Sequence, residues 1–133
     1  MDSFDIENYK VRVEIRRSGD PVRTSRNRII ELESPRMAHG IVMRGLLSFS
    51  TQFNSWTGTP ASGFYSDHDP SRPRVTGWLP TGEFAQWYDL LRSESPVRLM
   101  YNITPINGAK YINQIGLGTS EEPVGEGPSD VDA

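Results

Sequence analysis

Apolar and polar residues alternate strictly from Tyr9 to Arg16. Tyr9, Val11, Val13 and Ile15 share one parity; Lys10, Arg12, Glu14 and Arg16 share the other. Side chains in extended backbone point to opposite faces in turn. The pattern therefore predicts a strand with one face in the core and one in water. Ser18-Gly19-Asp20-Pro21 breaks it as a turn. A second strand is expected over Arg28 to Glu33, ended by Ser34-Pro35. Residues 40–54 read as one long strand, with Ile41, Met43, Leu47 and Phe49 on one parity. Gly45 lies in its middle, where a glycine marks a bulge or bend. Arg74 to Leu79 reads as another strand.

The period then changes. Phe84, Trp87, Tyr88 and Leu91 fall at i, i+3, i+4 and i+7, a single apolar stripe on a helix over about 82–92. Thr81 stands where an N-cap is expected, and Glu83 near the positive end of the helix dipole. Pro96 forbids continuation. A helix this short does not hold in water alone, so its stripe must dock on the sheet.

Alternation returns in Val97, Leu99, Tyr101 and Ile103, and again in Tyr111, Asn113, Ile115 and Leu117. Asn107-Gly108 lies between the two runs. That dipeptide accepts the positive φ angles of a type I′ turn, so 97–118 is expected to be an antiparallel hairpin. The order of elements gives an α+β fold, mostly antiparallel β. It has about six strands that could close as a small barrel, and one short helix between strands. Residues 1–118 form the expected globular domain. Residues 119–133 form an expected disordered tail.

Charge changes this picture. The chain has 133 residues and a net charge of −3. Five of its seventeen acids (Glu121, Glu122, Glu126, Asp130 and Asp132) lie in the tail, leaving twelve against fourteen bases. Lys10 to Arg44 holds nine bases against four acids. Twelve of the fourteen bases are Arg, which suits bidentate phosphate contacts and stacking. Such asymmetry belongs either to a solvated sheet face or to a polyanion site.

Cysteine is absent, which excludes disulfides, thiol nucleophiles and thiolate metal sites. The N-terminus MDSFDIEN has no signal-peptide apolar run, and no stretch is long enough to span a bilayer. The expectation is a cytoplasmic protein without a membrane partner.

Residues 55–73, SWTGTPASGFYSDHDPSRP, form an expected long loop. Loops of this length are usually functional or disordered, and Trp56, Phe64 and Tyr65 argue against disorder. Asp67-His68-Asp69 resembles a metal or acid–base cluster, but adjacent side chains diverge in extended chain, and Asp69-Pro70 is ordinary turn chemistry. No Gly-x-Ser-x-Gly elbow is present. Gly116-Leu117-Gly118 ends a strand with no helix behind it, unlike a phosphate loop. No catalytic residue, metal or cofactor is expected.

The residues favour a small non-catalytic binding or adaptor protein. It would act through protein–protein contacts or self-association of an aromatic loop and a sheet edge. The candidate binding residues are Trp56, Phe64, Tyr65, Arg44, Arg72 and Arg74. The alternative is a single-stranded nucleic-acid-binding protein that uses an Arg/aromatic sheet face, with an acidic C-terminal tail.

Overall fold

The structure is a computed structural model, which describes residues 1–53 and 62–119. Eight strands form one sheet. They are β1 (Asp2–Ile6), β2 (Asn8–Ser18), β3 (Arg23–Glu33), β4 (Arg44–Ser50), β5 (Gly63–Ser66), β6 (Arg74–Pro80), β7 (Val97–Ile106) and β8 (Ala109–Thr119). A 3-10 turn at Thr81–Glu83 leads into the helix α1 (Phe84–Ser93). The sheet order is β1-β7-β8-β5-β6-β4-β3-β2. Every neighbouring pair is antiparallel except β4 and β6, which run parallel.

The two strands at opposite ends of that order are consecutive in sequence, separated by Glu7 alone. One residue cannot cross a flat eight-stranded sheet, so the sheet curls into a half-barrel. The Glu7 amide donates to the Glu33 carbonyl at 2.8 Å and pins the corner.

Strand parity divides the sheet into two faces. On one, Leu32, Gly45, Val75 and Tyr65 lie in register across the strands; Ile30, Leu47, Gly77, Gly63 and Ile112 form the next row. α1 packs on this helix face, with Phe49 edge-on to Phe84 and Trp87 at centroid distances of 5.3 and 6.0 Å. The glycines in this core row permit close approach. Gly63 has φ 153°, and a Cβ there would lie 1.8 Å from the Thr76 carbonyl oxygen.

Several expectations need correction. There are eight strands, not about six. β1 is additional, and β5 forms within the expected loop 55–73. The long strand over 40–54 shrinks to β4, flanked by 3-10 turns at Ala38–Gly40 and Thr51–Phe53. Gly45 carries no bulge: its register with Leu32 is unbroken, and a Cβ there would press on the Leu32 side chain at 3.1 Å. The one register shift falls between Asn102 and Ile103, where β8 supplies an extra residue. The helix begins after Thr81, with Glu83 at the N-cap position and no side-chain cap.

The expected burial of one β2 face is also overturned. Val11, Val13 and Ile15 are 40%, 59% and 51% exposed. Of these, only Ile15 lies beyond the body of the sheet, opposite Arg26 where β3 no longer pairs with β4; Val11 and Val13 lie opposite Ile30 and Arg28, which still do. The alternation correctly marks a strand, but these three side chains stay exposed.

The hairpin β7–β8 stands as expected, with Asn107 at φ 50° and Gly108 at φ 84° in its turn. The tail from residue 120 lies outside the described residues.

Candidate functional site

The face away from the helix gathers most of the candidate residues. Register places Asn8, Glu33, Arg44, Arg74 and Ser66 in one row across five strands. The next row is Lys10, Glu31, Leu46, Thr76, Phe64 and Tyr111. Arg12, Ile29, Ser48 and Trp78 form a third. Arg72 joins from the segment before β6.

Arg44 thus meets Arg72 and Arg74, distant from it in sequence, beside a groove of about 230 Å³ lined also by Lys10, Glu31 and Glu33. Arg44 is fixed by two bonds: its Nε and a terminal nitrogen donate to the Arg72 carbonyl at 3.2 and 2.8 Å. Arg72 pairs with Glu33 at 3.0 Å. Arg12 donates to Glu31 and pairs with Glu14 at 3.0 Å. The carboxylates of the groove are therefore engaged by Arg12 and Arg72. Arg74 makes no hydrogen bond or ion pair among the described residues, and its Nε is buried without an acceptor. Nearby, the Ser71 hydroxyl donates to Asp69 at 2.9 Å, and this bond, aided by Arg44 and Arg72, holds Asp69 below the usual carboxylate range.

The aromatic candidates separate. Phe64 and Tyr65 are adjacent on β5, so they point to opposite faces. Phe64 lies at 5.8 Å from Trp78, which also stacks on Phe53 at 6.2 Å. Phe64, Trp78 and Tyr111 line a second, open groove of about 570 Å³ with His68 and Lys110. Tyr65 also borders this groove but packs against the core side, stacked on Tyr101 at 6.3 Å. Burial, with the nearby Asp67 charge, raises its phenol. Trp56 lies outside the described residues.

The Asp67-His68-Asp69 cluster disperses. Asp67 accepts from Lys110 at 3.0 Å, which lowers its pKa, while Asp69 builds the turn into Ser71. His68 and His39 are exposed.

Sequence reasoning missed an exposed apolar stripe. Val11, Val13 and Ile15 lie along β2, which has no strand on its outer side among the described residues. β2 keeps an unshifted register over its whole length, and contains no proline. Around it the hairpin carries Arg12, Arg16, Arg17, Arg23, Arg26 and Arg28. The signal was the alternation itself, which cannot say whether its apolar face is covered.

Comparison with protein-family models, with curated proteins and with solved structures gave no match to this chain.

Proposed function

We propose that this chain is a small non-catalytic binding protein that works through protein–protein contacts of the β2 edge. The observation that carries this reading is the exposed stripe Val11, Val13 and Ile15 on a strand with no neighbour on its outer side among the described residues. Such an edge offers a row of backbone donors and acceptors to an added strand, and natural proteins usually blunt it. Apolar side chains along the same strand add burial to those hydrogen bonds.

A second copy of β2 suits this edge. An antiparallel pairing centred on Val13 sets Val13 against Val13 and Val11 against Ile15. It also sets Arg12 against Glu14 twice, an opposite-charge pairing that favours the register. Lys10 and Arg16 also face each other, two residues in from either end of β2, a like-charge contact that solvent screens.

Light scattering of the purified chain over a range of concentrations tests this. Dimers are expected, with loss of dimer in Val13→Arg and in Glu14→Arg. The double variant Arg12→Glu/Glu14→Arg restores the opposite-charge pairs and should restore the dimer. A chain that stays monomeric at high concentration, or a dimer indifferent to all three variants, refutes self-pairing through β2.

The nucleic-acid reading draws on a different observation: Arg44, Arg74, Phe64, Trp78 and Tyr111 share the face away from the helix. Against it, Arg12 and Arg72 on this face are already paired with carboxylates. Anisotropy of labelled single-stranded oligonucleotides checks it. Binding should weaken steeply with salt if phosphates carry it; no binding at low salt removes the reading.

A further inference from the structure

We infer that the groove between Arg44, Arg72 and Arg74 is a binding site for the phosphate of a small phosphomonoester, independent of the β2 edge. The argument begins with unsatisfied hydrogen bonding. The Nε of Arg74 is buried and has no acceptor among the described residues. A buried donor left unpaired is costly, and a charged one more so. An oxyanion in the groove would sit beside this guanidinium and give its charge the partner it lacks among the described residues.

The surrounding charges favour the same ligand. Lys10, Arg44, Arg72 and Arg74 line the groove against Glu31 and Glu33. Glu33 is paired with Arg72, and Glu31 with Arg12 from outside the groove. Lys10 and Arg74 are left with no ion pair among the described residues, and Arg44 is held only by a carbonyl. That hold is itself useful. It fixes the plane of the Arg44 guanidinium, so little side-chain freedom remains to be lost on binding. Asp69, close to Arg44 and Arg72, is occupied by Ser71 and does not line the groove.

Size and shape set the rest. A groove of about 230 Å³ has room for more than a bare ion and for far less than a folded partner. Arg44 and Arg74 are register partners on adjacent parallel strands, so their side chains rise side by side from one face. Two neighbouring arginines suit the several oxygens of a phosphate dianion better than the two of a single carboxylate. The organic part would lie over Leu46, the apolar residue of the lining on that face.

Calorimetric titration and thermal melts of the full chain test the site. The probes are glycerol 3-phosphate, inorganic phosphate, succinate and a short oligothymidylate. Glycerol 3-phosphate should bind saturably and raise the melting temperature. Inorganic phosphate should compete with it, and succinate should bind more weakly. Arg74→Gln should weaken binding by about tenfold to a hundredfold, the loss of one charged hydrogen-bonding partner. Because it also removes an unpaired buried donor, Arg74→Gln should fold at least as stably as the wild type in phosphate-free buffer. Arg92→Gln, on the helix, should bind like the wild type.

No saturable heat with either phosphate overturns the inference. So does binding that Arg74→Gln and Arg44→Gln leave unchanged. Succinate binding as tightly as glycerol 3-phosphate makes it a general anion patch, and much tighter, salt-sensitive oligothymidylate binding makes it a polynucleotide site. Either result also overturns it. A monomeric chain that still binds glycerol 3-phosphate separates this site from the β2 edge.

Discussion

Tyr101 shows how one buried group sets a condition on the whole fold. It is 4% exposed, edge-on to Phe4 at 6.5 Å and stacked on Tyr65. Burial, helped by the charges of Asp2 and Tyr65, pushes its phenol up to about 12 from 10.0. The folded chain therefore holds this proton more tightly than the unfolded chain. Its contribution to stability is complete below the unfolded value and is lost as pH rises from about 10 to about 12, by up to about 1.4 kcal/mol per pH unit. Urea denaturation across that range should show a steep decline in wild type and a shallower one in Tyr101→Phe. Equal slopes would mean that Tyr101 is not the group responsible. The candidate residues behave with the same locality. Arg44 and Arg74 meet because β4 and β6 are register partners, while Phe64 and Tyr65 part because neighbours on a strand cannot share a face. Nothing in the spacing of the arginines announces their meeting, since the pairing of β4 with β6 is nonlocal.

Among the elements, periodicity was legible and coverage was not. The helix was readable because four apolar residues at helical spacing leave one stripe, and Pro96 stops it. The β7–β8 turn was readable because Asn107 and Gly108 tolerate positive φ. β1 and β5 were missed because each has five residues or fewer and little alternation to detect. Their strand state comes from the neighbours that pair with them. The contrast between covered and bare strands is measurable. Phe49 is fully buried under Phe84 and Trp87, so Phe49→Ala should cost about 3–5 kcal/mol and loosen α1. Val13→Ala in a monomeric chain should change stability by no more than about 0.5 kcal/mol, because its side chain is largely in water. Chemical denaturation of the two variants side by side checks both. A large loss at Val13 under monomeric conditions would contradict the exposed stripe on which the proposed function rests.

For the whole molecule, the sequence by itself determined the chemistry available and most of the local geometry. It specified a mostly antiparallel sheet, one docked helix, a terminal hairpin, and the absence of cysteine chemistry. These follow from side-chain period, turn residues and composition, all of which act over a few neighbouring positions. Tertiary structure alone decided that Glu7 joins the two ends of the strand order and forces the curl. It also decided that β4 and β6 run parallel, gathering Arg44, Arg72 and Arg74 around one groove. The same level decided that Val11, Val13 and Ile15 stay exposed on β2, although Val11 and Val13 lie opposite β3 residues that pair with β4. Strand order, register and coverage depend on which distant segments share hydrogen bonds, and period-two alternation looks the same whether or not a layer lies above it.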